Sequence, residues 1–234
     1  MTPAAAPRHP AWLKVRAPGG PGFAATRSAV RALGLHTVCE EARCPNIGEC
    51  WGHRTATFML LGGAAHFATT ARAVKDMVPD CRVEVLVPDF QGRLASVDTV
   101  AEAPIDVFNH NVETVPRLYR RVRPGARYDR SLAVLRRARE RGEAYHTKAG
   151  LMLGLGEELE ELTVVLEDLR AVGCDILTLG QYLRPSADHL PIERYVTPEE
   201  FAALKEQALD LGFAHVESGP LVRSSYHAWS HVKT

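Results

Sequence analysis

Residues 147–183, TKAGLMLGLGEELEELTVVLEDLRAVGCDILTLGQYL, read as one strand–helix–strand unit. Thr147–Leu155 is an apolar run of strand length. Leu159–Val172 carries Leu162, Val165, Leu166 and Leu169 at helical spacing, and Gly173 is a natural stop. Asp175–Leu183 is a second apolar, β-prone run. Two runs flanking a helix of this length imply parallel strands joined by a crossover.

The pattern repeats outward. Downstream, Thr197-Pro198-Glu199-Glu200 opens a helix with an N-cap Thr, Pro in the first turn and a Glu placed to complete a capping box. That helix runs to Gly212, and His215–Ser218 reads as a final strand. Upstream come a charged amphipathic helix at Arg130–Arg141, a strand at Ile105–Asn111, a helix at Ala95–Ala103, and a strand at Val83–Asp89. Ala64–Met77 reads as a helix and Thr55–Leu61 as a buried strand. Ala29, Val30 and Leu33 make a further helix of Thr26–Leu35. Pro3, Pro7, Pro10, Pro18 and Pro21, set among Ala and Gly, predict an extended arm over 1–22, with Trp12 and Leu13 available as anchors. In parallel βα folds ligands gather where strands end. The polar clusters fall there: Asp89, Asn109-His110-Asn111, and Gln181-Tyr182-Arg184.

Composition narrows the function. The chain has 234 residues, 28 basic against 28 acidic, and is 46% hydrophobic. That suffices for one substantial core and gives no electrostatic case for nucleic acid or an anionic membrane surface. No apolar run approaches the ~18 residues of a membrane span, and MTPAAAPRHPAWLK lacks the apolar core of an export signal. An odd set of five cysteines suits a reducing compartment. A cytoplasmic protein with no nucleic-acid or membrane partner is expected. No nucleophile elbow or Ser-His-Asp order occurs, and Gly154-x-Gly156 lacks the Lys-Ser/Thr pair of a phosphate loop. The histidines are spread from His9 to His231 without a zinc-type pairing.

Three of the five cysteines lie in His36–Trp51, HTVCEEARCPNIGECW. Cys39, Cys44 and Cys50, in a loop broken by Pro45 and Gly48, can turn their sulfurs toward one point. Collected thiolates hold a soft metal or an iron–sulfur cluster; the alternative is small buried hydrophobes, or a redox pair plus a bystander. Neighbouring Glu, Arg and Asn do not read as a core stripe. His36 fits a packing or supporting role better than ligation.

Cys39-x4-Cys44-x5-Cys50 in this context resembles the auxiliary-cluster motif of lipoyl synthases, and the likeness extends over most of the chain. The resemblance implies a TIM-like barrel and a [4Fe-4S] cluster on Cys39, Cys44 and Cys50 that is also the source of inserted sulfur. It implies a fourth ligand, Ser225, from the Arg223-Ser224-Ser225-Tyr226 motif, with Arg223 beside it. On composition alone, Ser224 and Ser225 would be turn residues of a surface tail. Asn109-His110-Asn111-x-Glu113-Thr114 resembles the family's segment near cofactor and substrate, though a polar loop capping itself with Asn would look alike. By the same resemblance Asn109, Asn111, Glu113, Lys148, Gln181 and Arg184 bind cofactor or line the barrel mouth. The implied reaction inserts sulfur at C6 and C8 of an octanoyl chain on a lipoyl-carrier domain. It uses S-adenosylmethionine, a second [4Fe-4S] cluster and an electron donor protein.

One departure is large. The family's second three-cysteine motif, spaced x3 and x2 after the first barrel strand, is absent. Phe58-Met59-Leu60-Leu61-Gly62 resembles that first strand but runs directly into Gly63-Ala64-Ala65-His66-Phe67, which resembles the start of a later helix. The gap amounts to at least one βαβ unit, ~30 residues or more. Cys81 and Cys174, far apart and without close cysteine partners, read as packing or exposed residues. The expected fold is therefore α/β, a partial TIM-like barrel of parallel βα units with an N-terminal cysteine-loop extension. Its divisions are a flexible arm (1–22), the cysteine loop and its helix (23–54), the partial barrel with a deletion near 62–63 (55–218), and the RSSY tail (219–234). The chain keeps the sulfur-donor part and lacks the radical-generating part, which predicts that it does not catalyse the reaction alone. Two alternatives stand beside a lipoyl synthase with a lost segment: a non-catalytic cluster-binding relative that binds carrier domains, and a structural zinc protein.

Overall fold

The computed structural model describes residues 10–15, 17–41, 44–60, 62–142 and 144–228. A five-stranded sheet is built from β1 (Glu84–Leu86), β2 (Val107–Asn109), β3 (His146–Leu153), β4 (Ile176–Gln181) and β5 (His215–Gly219). The strands pair in chain order, all parallel. Each step to the next strand passes through helical structure: α5 (Leu94–Ala101), α6 (Tyr119–Val122) with α7 (Tyr128–Arg141), α8 (Leu159–Ala171), then α9 (Pro198–Asp210). The 147–183 unit thus forms as its pattern predicts.

Strand alternation sorts the residues onto two faces. Ala149, Leu151, Leu153, Leu177, Leu179 and Val216 join Leu162, Val165, Leu166 and Leu169 of α8 and Phe201 of α9 in one apolar core. Val85 and Phe108 join α5, α7 and α4 (Ala64–Met77) in another. Each large side chain fully withdrawn from water contributes ~1.5–3 kcal/mol before entropy is set against it. The opposite face carries Glu84, Asn109, Lys148, Gly150, Thr178 and Glu217 beside apolar Val107 and Ile176, and Gly150 and Thr178 border a cavity.

Local signals were accurate where they were strong. α4 spans the predicted residues end to end. At α9, Thr197 accepts a hydrogen bond from the Glu200 amide at 3.2 Å while the Thr197 amide donates to the Glu200 carboxylate at 2.8 Å, closing the capping box. Most strands came out shorter than expected and α7 starts two residues earlier; two further differences bear on the site. The first helix, α1 (Pro21–Ala32), starts five residues before Thr26, because Pro21 occupies its first turn, where a proline lacks nothing the helix needs. The cysteine stretch is more ordered than a loop, forming short helices α2 (Val38–Glu41) and α3 (Ile47–Gly52) on either side of Cys44. Of the arm, residues 1–9 and Arg16 lie outside the described residues; Trp12 packs edge-on against Tyr195, centroids 6.4 Å apart.

One predicted strand does not form. Residues 55–60 adopt no regular structure, and Phe58 and Met59 are 44% and 66% exposed. Their backbone is committed elsewhere: the Thr55 amide donates to Cys50 O at 2.9 Å, and Thr57 O accepts from the Val38 amide at 3.0 Å. Ties to the cysteine helices override β propensity, which always depends on available neighbours. Among the described residues no helix is long and apolar enough to cross a membrane.

Candidate functional site

The N-terminal helices form a small core of their own. Val30, Cys39, Cys50 and Trp51 are buried together, with Phe23, Cys44, Ile47 and Tyr226 packed against them. Phe23 stacks on Trp51 at 5.4 Å. Gly22 lies so close to α3 that a Cβ there would sit 2.3 Å from Gly52 O, so this contact admits only glycine. The three cysteines are thereby gathered by packing rather than by a flexible loop, and all are free thiols. His36 is exposed.

Two cavities open where the strands end. The larger, about 360 Å³, is lined by Cys39, Cys44, Thr57, Arg184, Arg223 and Ser225. Cys50 does not line it but adjoins it. Burial above all, then the neighbouring Cys44 and Cys39, push the Cys50 thiol up to about 12. Burial also raises the Cys44 thiol. Left to themselves these thiols stay protonated, and a bound cationic metal centre is what would draw them into the thiolate form. Arg223 is largely buried and close enough to Cys44 to feel its charge; burial lowers its pKa, and among the described residues no carboxylate pairs with it. A cation held without an acid suits a site that is to carry negative sulfur. This donor set, thiols with one hydroxyl around a cavity, fits an iron–sulfur cluster. Among the described residues no three His, Cys, Asp or Glu side chains converge as around a single ion.

The smaller cavity, about 260 Å³, is lined by residues including Asn111, Glu113, Gly150, Thr178, Gly180 and Ser224. Asn111 donates to Ser224 Oγ at 2.7 Å and to Glu113 at 3.1 Å, while its buried Oδ1 has no partner among the described residues. Burial raises the Glu113 carboxyl pKa. Two glycines keep the space clear. A Cβ at Gly150 would lie 2.7 Å from Thr178 Oγ1, and one at Gly180 would lie 2.1 Å from Val222 O. Arg223 borders both cavities.

Other predicted residues sit elsewhere or do other work. Lys148 is fully buried, its Nζ 3.0 Å from both carboxylate oxygens of Glu84, and Asn109 donates to Glu84 at 2.7 Å. Neither lines either of these two cavities. Gln181 borders the smaller cavity, but its amide is bonded to Leu153 O, Arg194 O and the Val196 amide, so it braces the chain after β4. Arg184 donates to His189 O at 2.8 Å and to Ala187 O, within its own loop. Cys174 is fully buried, its thiol raised by burial to about 12, and the Cys81 thiol donates to Arg82 O at 3.5 Å. Both precede their strands, β4 and β1, and so lie at the end of the sheet away from the cavities. Among the described residues neither thiol has a second cysteine beside it.

A polar clip was missed in the sequence. His227 lies 3.0 Å from Glu217 through Nδ1 and 3.0 Å from Glu49 through Nε2. Tyr226 donates to Glu49 at 3.0 Å and stacks on His227. Burial opposes charge on Glu217, but hydrogen bonds with His215 and His227 outweigh it and bring its pKa down to about 2. Burial likewise opposes charge on His227, and its two carboxylate partners outweigh it and raise its pKa. The signal was present as a histidine directly after the RSSY motif.

Comparison with known proteins gives concordant matches. Residues 54–169 match the profile of the Radical SAM superfamily, and residues 2–44 match that of the N-terminal domain of lipoyl synthase of the Radical SAM family. The lipoyl synthase of Rubrobacter xylanophilus is 49% identical, covering 94% of this chain and 86% of its own. That of Koribacter versatilis is 48% identical, covering 94% and 90%, and that of Roseiflexus sp. 46%, covering 96% and 92%. These alignments run over 276, 272 and 278 positions against a chain of 234 residues, so each relative has residues with no counterpart here. Among solved structures, methylornithine synthase is 16% identical with a TM-score of 0.50, covering 72% of this chain and 58% of that one. Streptococcus suis SuiB is 12% identical with a TM-score of 0.51, covering 74% and 42%. Both likenesses concern the fold alone.

Proposed function

We propose a function from one premise: this chain belongs to the lipoyl synthase family. Membership makes radical S-adenosylmethionine-dependent sulfur insertion the family function, and homologues so named make the chain an enzyme by descent. Our reading is that this polypeptide retains the sulfur-donor half of that function. Cys39, Cys44, Cys50 and Ser225 hold the auxiliary [4Fe-4S] cluster, and the substrate is the C6 and C8 positions of an octanoyl chain on a lipoyl-carrier domain.

The observation that carries this is the meeting of Cys39 and Cys44 with Arg223 and Ser225 around one cavity, from segments nearly the whole chain apart. When bound, the cluster supplies the sulfur. The chain's own residues do the rest. Cys39 and Cys50 exclude water by burial, Arg223 offsets negative charge at Cys44, and Gly150 and Gly180 keep the adjoining cavity open toward it. A hydroxyl is a harder and weaker iron ligand than a thiolate, so the Ser225 bond is the one most readily released. A structural zinc is favoured less, because among the described residues no three His, Cys, Asp or Glu side chains converge on a single point.

The same reading makes the chain unable to start radical chemistry alone. It has no second cysteine motif, and Cys81 and Cys174 lie at the wrong end of the sheet. The longer alignments of the relatives support a missing segment, which we place at Gly62–Gly63, with the parallel sheet as the surviving sector of a barrel. Iron and sulfide analysis after anaerobic reconstitution tests both halves. The expected result is about four irons per chain, lost on replacing Cys39, Cys44 or Cys50, with no 5′-deoxyadenosine formed from S-adenosylmethionine under reductant. Two clusters per chain, or cleavage of that cofactor, would refute the inactivity; zinc without iron would refute the site.

A further inference from the structure

Ser225 lies in a segment of turns after β5, outside any helix or strand. Such a segment places a side chain only as well as its tethers do. Upstream, Asn46 of the cysteine stretch donates to Leu221 O at 2.7 Å, and Asn111 donates to Ser224. Downstream, the tether is His227. Its two ring nitrogens each meet a carboxylate at 3.0 Å, Glu217 from β5 and Glu49 from α3. Glu49 adjoins Cys50 in sequence, so the bridge runs from the sheet through the tail to the helix that carries a cysteine. The backbone of His227 is held at φ 52°, in the left-handed region that a β-carbon disfavours. Tyr226 adds a second bond to Glu49.

We infer that His227 is a positioning residue: by joining Glu217 to Glu49 it fixes Ser225 against the three cysteines. The inference rests on the reading of Ser225 as a cluster ligand and adds what holds it there. A weak ligand depends on preorganisation more than a strong one, since little bond energy remains to order a loose segment. Loss of the bridge therefore releases the iron bound through Ser225 and leaves the three cysteine-bound irons in place.

The test is reconstitution of the full chain with iron and sulfide, followed by iron analysis, Mössbauer and electron paramagnetic resonance spectra after mild oxidation. Far-UV circular dichroism controls for folding. Ser225→Ala should give a three-iron cluster. His227→Ala should reproduce that spectrum, and His227→Gln, whose one amide nitrogen can still donate to a carboxylate, should recover part of the four-iron signal. In His227→Ala/Ser225→Cys a thiolate needs no such help, and four irons should return. An unchanged four-iron spectrum in His227→Ala overturns the inference. So does loss of all iron that Ser225→Cys cannot restore, which would make His227 a general support of the fold. Four irons with an unaltered spectrum in Ser225→Ala would instead show that the ligand reading itself fails, and the inference with it.

Discussion

Replacing Glu84 with Gln would remove the carboxylate that meets the buried ammonium of Lys148. The Lys148 side chain is 0% exposed and that of Glu84 is 17% exposed, with Nζ 3.0 Å from each oxygen. Removing one member of a buried ion pair costs up to ~3–5 kcal/mol. Against a total stability of ~5–15 kcal/mol, that is a large fraction. Lys148→Met removes the charge and keeps most of the stem. Glu84 then retains the hydrogen bond from Asn109 and some solvent, so the cost should be ~1–2 kcal/mol. The double variant should be less damaging than the sum of its parts, by ~2 kcal/mol. Urea denaturation followed by tryptophan fluorescence and far-UV circular dichroism measures all three; with m of ~2 kcal/mol/M, Glu84→Gln moves the midpoint by ~2 M. Additivity within ~0.5 kcal/mol, or a Glu84→Gln cost no larger than that of Lys148→Met, would refute the assignment of Lys148 to the interior of the sheet as a paired charge.

Three further outcomes follow from the same coordinates. Burial brings the His110 pKa down to about 4, so as pH falls from ~6.5 to 4 the unfolded chain takes up the proton first and stability drops. The loss should reach roughly 3 kcal/mol and disappear in His110→Gln, as read by urea midpoints across that range; an equal slope in both proteins would count against it. Cys174, fully buried with its thiol raised to about 12, should resist iodoacetamide under native conditions while the partly exposed Cys81 reacts, and mass spectrometry of the alkylated peptides decides this. Gly180→Ala would place a Cβ 2.1 Å from Val222 O, so it should displace the tail and raise the exchange rate of amides in 222–227, with β3 and β4 still protected; unchanged exchange in the tail would argue against the close packing.

Much of the fold was legible because its signals are local. The apolar spacing of α8, the capping box of α9 and the full length of α4 depend on residues within a few turns of one another, and all are present. The run 55–61 shows the limit. Its composition suits a strand, but a strand exists only where an edge receives it, and here the backbone of Thr55 and Thr57 bonds to the cysteine helices instead. Pro21 shows another, since proline breaks a helix or begins one depending on which side the chain continues.

The cysteine site divides in the same way. Spacing and residue type alone marked Cys39, Cys44 and Cys50 as a ligand set, and the family likeness added Ser225. The sequence by itself thus determined the parallel βα order and the spacing of the three cysteines proposed as ligands, because these rest on local periodicity and on which residues are present. Tertiary structure alone decided that Lys148 is neutralised by Glu84, that Gln181 is a brace, and that His227 joins Glu217 to Glu49, a residue 178 positions away. Such pairings have no period and no fixed offset. They arise only when packing brings distant segments to one place, where an unmatched charge or an unfilled hydrogen bond becomes costly.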